Sequence, residues 1–384
     1  MDILNRREWL RKSLIATGAV GTMPLTGFME TTGISDEEIE SNEKNNDVVR
    51  LLYNENHLGP SKSVSKVINE VIHRSNRYAT FYQYDAQSLK ELIADQEGLS
   101  PKNILLGHGS FEPLIWAATH FGSKGEEIIV PSPTFDVVGL FARKIGAEVT
   151  QVEVDSEFKM NLTEMESRVS ASISLLTICN PNNPTGSSIE TETLKSFCST
   201  VSEKTTVLVD EAYIHYLPSW RKQSMASLIR EGKNVLVTRT FSKIYGLAGM
   251  RIGFMMGPED LIKEMETKFT LGFPGNMPNS LSVASAMIAL RDVSFIEQSR
   301  DTNTVMRNKF YKALDNLNLK YIPSDTNFVY FDVGDFKSYK KLMRENKILL
   351  AGGWPTKKNW ARVTMGSEKD INYLLEKMKG KKWF

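Results

Sequence analysis

Two cysteines, Cys179 and Cys198, are all that 384 residues contain. They have neither the number nor the spacing of a zinc site or a disulfide framework, which sets aside those two classes of small scaffold. Cys179 ends an apolar run and Cys198 sits in a helix-like stretch, so both read as buried thiols. A disulfide between them stays open if the chain is exported. No apolar run reaches the roughly 18 residues that cross a bilayer. Charge of one sign is also missing: 47 Lys and Arg face 46 Asp and Glu. There is no basic stripe interleaved with aromatics, so nothing steers the chain to nucleic acid. Internal repeats, low-complexity tracts and a recognisable metal site are absent from the sequence as well.

What is present is an ordinary globular composition, 41% hydrophobic and 24% charged. The length suggests one large domain and a smaller one. Residues 1–29 read differently from the rest. Asn5-Arg6-Arg7-Glu8-Trp9-Leu10-Arg11-Lys12 leads into a mildly apolar, acid-free stretch from Ser13 to Phe28. This resembles a twin-arginine (Tat) export signal, which implies the Tat machinery as a partner and a periplasmic location. The alternative is a basic amphipathic helix at the start of a cytoplasmic enzyme. No clear Ala-x-Ala cleavage site precedes Glu30. Residues 30–46, rich in Glu, Ser and Asn, read as a flexible linker.

From about Asp47 the chain alternates strand-like and helix-like segments. Val64, Val67, Ile68, Val71 and Ile72 follow helical spacing. Short apolar runs such as Asn103–Leu106, Glu127–Val130, Ser172–Cys179, Thr206–Val209 and Asn234–Thr238 read as strands, with helix patterns between several of them. Such units predict an α/β fold: a mostly parallel sheet between two helix layers, with ligands beyond the carboxyl ends of the strands. Beyond Asn276 the pattern changes to helices plus a two- or three-strand unit, Thr326–Asp332, Ile348–Leu350 and Ala361–Thr364. We expect a large domain over 76–275 and a smaller α+β domain from 47–75 together with 276–384.

Four short runs carry chemistry. In Asp210-Glu211-Ala212-Tyr213 an acid stands at the end of the apolar strand Val207-Leu208-Val209. A buried carboxylate needs a partner, and a protonated ring nitrogen is one. In Thr238-Arg239-Thr240-Phe241-Ser242-Lys243 a lysine follows another strand end among hydroxyl residues. Desolvation turns such an amine into a carbonyl nucleophile. Arg251, eight residues on, offers a bidentate grip on a phosphate. Asn180-Pro181-Asn182-Asn183-Pro184-Thr185-Gly186 is a turn stiffened by two prolines that presents rigid amides. Gly107-His108-Gly109-Ser110 opens a helix whose N–H groups can meet an anion. Each has a plainer reading alone: a cap or ion pair, a solvated lysine, a tight turn, a Gly-rich loop.

Together and in this order they resemble the fold-type I, aspartate-aminotransferase-like enzymes that use pyridoxal 5′-phosphate. The nearest branch is that of the histidinol-phosphate aminotransferases. Further look-alikes are Asn54-Glu55-Asn56-His57-Leu58-Gly59-Pro60 and Arg362-Val363-Thr364-Met365-Gly366, and the likeness spans roughly 48–380. It implies a large domain with a seven-stranded sheet and an amino-group transfer between an amino acid or amine and a 2-oxo acid. It makes Lys243 the residue that holds the cofactor as a Schiff base and moves the α-proton, with Asp210 on the ring nitrogen. Asn183 and Tyr213 take the phenolic oxygen, and Phe135 stacks on the ring. The phosphate goes to Gly109, Ser110, Phe111, Thr240, Ser242 and Arg251. Gly59 lines the entrance and Arg362 grips the substrate carboxylate or phosphate. The resemblance also implies a homodimer in which a tyrosine reaches the neighbouring cofactor, here Tyr82.

This sequence departs from the branch in three places. No proline follows a tyrosine around Tyr82, with Tyr78, Phe81 and Tyr84 as other candidates. His57 replaces a common proline. The second arginine expected after Ile348-Leu349-Leu350 is missing from Ala351-Gly352-Gly353-Trp354-Pro355. That weakens the case for a phosphate-ended substrate and leaves Trp354 free to favour an apolar or aromatic side chain, if it does more than pack. Two other readings compete with amino transfer. A lyase, racemase or decarboxylase would use the same scaffold. A non-enzymatic binder would have no use for Lys243.

Overall fold

The computed structural model describes residues 48–79, 83–123, 126–271 and 278–379. The Tat-like stretch 1–29, the linker 30–46 and Tyr82 lie outside the described residues. Val49–Phe384 forms one compact unit. Among the described residues its strands, in chain order, are β1 (Val49–Leu51), β2 (Ile104–Gly107), β3 (Glu127–Ser132), β4 (Glu148–Glu153), β5 (Ile173–Cys179) and β6 (Thr206–Asp210). They continue as β7 (Val235–Thr240), β8 (Gly253–Met256), β9 (Tyr321–Ile322), β10 (Phe328–Asp332), β11 (Ile348–Trp354) and β12 (Lys357–Thr364).

Seven of them form one sheet in the order β2-β8-β7-β6-β5-β3-β4. Neighbours run parallel from β7 through β4, while β8 is antiparallel to both β7 and β2. All seven residues of β5 and all five of β6 are buried, as expected for parallel strands covered on both faces. The strand order reverses between β3 and β5, so the crevice for a ligand lies where those two strands end. The loops leaving them carry Phe135 and Asn180–Gly186.

The helices begin and end where local chemistry dictates. Ser61 accepts from the amide of Val64 to cap Lys62–Val71, which buries Val64, Val67 and Val71. Gly98 ends Ala86–Glu97 in the left-handed conformation. The helix Ser280–Arg291 packs into the same core as the seven-stranded sheet through Val283, Ala286 and Leu290.

A second core, with Leu51, Phe310, Val329, Phe331 and Val363, belongs to the other sheet. Here the structure corrects the sequence reading. The expected two- or three-strand unit is a five-stranded sheet, β1-β11-β12-β10-β9. The three residues of β1 and two of β9 are too short to show a period. β11 also runs on past Leu350 to Trp354, so Ala351 lies inside a strand rather than after one. The Gly352-Gly353 pair disguises that continuation, and the register shifts there.

Candidate functional site

Asp210 is the last residue of β6 and is 5% exposed. Its Oδ1 accepts from the Thr238 hydroxyl at 2.9 Å. Burial pushes its carboxyl up to about 6, against the pull of the Thr238 and Ala212 hydrogen bonds. Phe135 and Asp210 line one cavity, with Leu114, Thr177, Cys179 and Leu208. Cys179 and Cys198 are both buried free thiols, as the sequence suggested.

Lys243 stands three residues beyond β7 and is half-buried. Its Nζ donates to the Tyr53 carbonyl at 2.8 Å and lies 5.7 Å from the Tyr213 ring centre. Burial brings its amine down to about 8. The nearby Arg362 and Arg251 charges act in the same direction, and Glu55 and Asp210 oppose them. A lysine so placed is a far better nucleophile and proton carrier at neutral pH than a solvated one.

Arg251 precedes β8, and because β8 runs against its neighbours this end meets the carboxyl ends of β2 and β7. Arg251 Nη1 donates to Ser242 Oγ at 3.3 Å and Nη2 to the His108 carbonyl at 3.3 Å. Thr240 Oγ1 donates to Ser242 Oγ at 2.9 Å and accepts from the Ser242 amide at 3.1 Å. Gly109, with φ +77°, leaves room for this arginine: a Cβ there would lie 2.5 Å from Arg251 Nη2. Ser110 is the N-cap of Phe111–Gly122. The loop therefore gathers a guanidinium, two hydroxyls and a helix N-terminus into an anion cradle.

Arg362 enters from β12. It is 7% exposed, and it donates to Asn183 Oδ1 through Nη1 and to the Leu52 carbonyl through Nη2. Its Cζ lies 5.2 Å from the Phe328 ring and 5.4 Å from the Trp354 ring. Its Nε is buried with no partner among the described residues. Burial lowers its pKa to about 10. Tyr213 accepts from Asn54 Nδ2 at 2.8 Å, and burial pushes its phenol well up. Gly59 approaches the lysine loop closely, since a Cβ on Gly246 would fall 1.9 Å from the Gly59 carbonyl oxygen.

The structure thus brings Lys243, Asp210, Tyr213, Asn183, Arg362, Phe135 and Gly59 to one end of the large sheet, with the Gly109-Ser110-Phe111, Thr240, Ser242 and Arg251 cradle at the same end. Several residues that had no assigned role also contribute. Asn54 holds the Tyr213 hydroxyl from a left-handed backbone, φ +56°, and is itself held by Thr364 and Asn327. Thr238 is the partner of Asp210. Asn182 is structural: it accepts from Thr134 Oγ1 at 2.9 Å and donates to the Pro133 carbonyl at 3.1 Å, tying the loop after β3 to the loop after β5. Asn54 and Thr238 both stand inside runs recognisable in the sequence, but nothing local marks either as the partner of Tyr213 or Asp210, because those bonds cross 159 and 28 residues.

Residues 46–378 match the family described as aminotransferase class I and II. A histidinol-phosphate aminotransferase from Moorella thermoacetica is 30% identical over 336 residues, covering 87% of this chain and 85% of that one. One from Dechloromonas aromatica is 30% identical over 357 residues, 92% of each. Among solved structures, the histidinol-phosphate aminotransferase of Sinorhizobium meliloti in complex with pyridoxal-5′-phosphate has a TM-score of 0.79 at 25% identity. It covers 89% of this chain and 93% of that one. Aspartate aminotransferase of Thermus thermophilus with maleate shares the fold, with a TM-score of 0.79 at 21% identity, over 91% of this chain and 95% of that one.

Proposed function

The chain belongs to the class I and II aminotransferase family, and on that premise we propose that Lys243 and Asp210 are the centre of its amino-transfer site. The donor is an amino acid or amine and the acceptor a 2-oxo acid. The cofactor of such an enzyme is pyridoxal 5′-phosphate, and the residues present fit it. Among the described residues no cation hydrogen-bonds the buried Asp210 carboxylate, a glycine cradle is filled by a guanidinium tip, and Arg362 Nε has no partner. When bound, the cofactor supplies a carbonyl carbon for amines and a protonated ring that accepts the electron pair left by the departing α-proton.

The chain's own groups would do the rest. Asp210 keeps the ring nitrogen protonated, because two opposite charges in a dry site stabilise each other. Arg251, Ser242, Thr240 and the amides of Gly109-Ser110-Phe111 bind the phosphate. Phe135 covers the ring face, and Asn183 and Tyr213 meet the phenolic oxygen. Lys243 anchors the cofactor, then carries the proton at the substrate α-carbon. Arg362 holds the substrate carboxylate and Gly59 borders the entrance. Tyr82, from a second copy of the chain, completes the phosphate site, which makes the unit a homodimer. The 1–29 stretch directs this enzyme to the periplasm by the Tat route, which carries folded proteins.

The observation that carries this reading is Lys243, an amine brought to about 8 by burial and held at the Tyr53 carbonyl. The test is to load the purified protein, reduce it with borohydride and map the modified peptide. Attachment at Lys243, lost in Lys243→Ala, is expected; attachment at another lysine overturns the assignment. Single amino acids without acceptor then convert the absorbance to that of the pyridoxamine form. Release of ammonia or CO2 instead would mark a lyase or decarboxylase, and loss of chirality alone a racemase.

A further inference from the structure

Arg362 sits in the middle of a three-strand register. Ala351 of β11 pairs with it on one side and Tyr330 of β10 on the other. Residues paired across strands project from the same face, so all three side chains share the face from which Arg362 reaches Asn183. Two polar atoms on this face are buried and without partners among the described residues, Arg362 Nε and the Tyr330 hydroxyl. Tyr330 is 0% exposed. Such atoms destabilise the folded chain unless a ligand supplies what they lack. A carboxylate, with two acceptor oxygens, suits a guanidinium N–H beside a phenol.

Trp354 lies at the end of the same strand as Ala351. The register shifts between Gly352 and Trp354. Gly353 has φ +71°, and a Cβ there would meet the Phe336 ring at 2.8 Å. The irregularity therefore depends on glycine. Its outcome is that the Trp354 ring lies 5.4 Å from Arg362 Cζ and 5.4 Å, edge to face, from the Tyr330 ring. Trp354 keeps part of its surface exposed, while Tyr330 is fixed behind it by Trp360 at 4.9 Å. The face next to the arginine is thus a rigid aromatic wall, and the position opposite Arg362 is a methyl group instead of a second cation.

We propose that Trp354 and Tyr330 select a donor amino acid with an aromatic or bulky apolar side chain, and that Ala351 denies the site a grip on a phosphate-ended one. This rests on the reading above in one respect, that Arg362 holds the substrate carboxylate. A ring on the β- or γ-carbon of the donor stacks on Trp354 while its carboxylate takes Arg362 Nε and the Tyr330 hydroxyl. A phosphate at that end would have to lose its hydration against an indole and a methyl group, which is unfavourable.

Equilibrium binding tests this without any turnover. The cofactor-loaded protein is titrated calorimetrically with 3-phenylpropionate, propionate and 3-phosphonopropionate. We expect 3-phenylpropionate to bind about tenfold or more tightly than propionate, the worth of one good aromatic contact plus its area. Trp354→Ala should remove most of that advantage and leave propionate within about twofold. If Trp354→Ala does not fold, Trp354→Leu carries the same comparison with a smaller loss. Ala351→Arg should tighten 3-phosphonopropionate. The proposal is overturned if the wild type prefers 3-phosphonopropionate, or if the Trp354 variant weakens both other acids equally. Failure of the amino-transfer reading would leave these affinities unchanged. A failure of the carboxylate assignment would show separately, as Arg362→Lys binding all three acids like the wild type.

Discussion

On the side of β6 away from the site, Arg239 lies between two carboxylates. Its Nη1 reaches Glu97 at 2.7 Å, its Nε reaches Glu211 at 2.9 Å, and its Nη2 meets Ser224 Oγ at 2.6 Å. Glu211 also accepts from the Met225 amide at 2.7 Å and from Ser224 at 2.9 Å. Arg239 and Glu211 are each 1% exposed, and the two carboxylates hold the arginine's pKa above its ordinary value. Asp210 and Arg362, one residue and one sheet away, are nearly as buried, but among the described residues neither has a charged hydrogen-bonding partner. Burial accordingly moves both towards neutrality, Asp210 up to about 6 and Arg362 down to about 10. The same two residue types are saturated where they hold the structure together and left short where a ligand would complete them. Asp210 ends β6 and Glu211 is the first residue beyond it, so one dipeptide at a strand end serves both regions.

The difference predicts opposite consequences for similar changes. Asp210→Ala should lower the rate of amino transfer by about 10⁴-fold, the upper range for removing one group that controls proton movement. It should at the same time leave the stability of the cofactor-free protein unchanged or raised, because a buried acid that only neutral donors hold disappears. Single-turnover absorbance and urea unfolding measure the two effects. Unfolding that follows the lost rate would place Asp210 among the structural charges.

Arg239→Ala should do the reverse. It strands two buried carboxylates, at a cost of about 3–5 kcal/mol, read as a lower urea midpoint with an unchanged slope. Surviving folded protein should keep most of its cofactor affinity. A variant that is stable yet cofactor-free would mean that Arg239 belongs to the site.

A third prediction uses pH. In the folded cofactor-free chain Asp210 titrates near 6, above its ordinary value of 3.8. Between those values the folded state binds more protons than the unfolded state, so stability falls as pH rises and the loss is complete above 6. The shift corresponds to about 3 kcal/mol. Other carboxylates titrate in the same range, so the readout is the difference between wild type and Asp210→Asn in urea unfolding from pH 4 to 7. The wild type should lose stability relative to the variant across that window, and parallel curves would remove Asp210 from the account.

The cofactor end of the site is legible in the sequence because it is written in local runs. Asp210 and Lys243 each follow an apolar strand, Asn183 sits in a proline-stiffened turn, and Arg251 follows the lysine by eight residues. The substrate end is not local. Ala351, Arg362 and Tyr330 come together only through the register of three strands, and the glycine pair that places Trp354 hides the strand that carries it. The Arg239–Glu97 pair spans 142 residues of sequence, so nothing near either residue announces it. Asn54 is intermediate: its run is recognisable, but its hydrogen bond to Tyr213 crosses 159 residues.

The smallest expected effect separates the two regions most sharply. Tyr330→Phe removes one hydroxyl that is buried and has no partner among the described residues. Hydroxyl deletions in cores cost stability when they break a hydrogen bond, about 1 kcal/mol each. Here no bond is broken in the free protein, so the variant should match the wild type or exceed it by up to about 1 kcal/mol. Ser224→Ala, on the saturated side, removes a hydroxyl that donates to Glu211 and accepts from Arg239, and should lose about 1.5–3 kcal/mol. Affinity for 3-phenylpropionate should then fall several-fold in Tyr330→Phe and stay unchanged in Ser224→Ala. Only a hydroxyl waiting for a ligand loses binding without losing stability, so a Tyr330→Phe variant that is less stable but binds normally would return Tyr330 to the core.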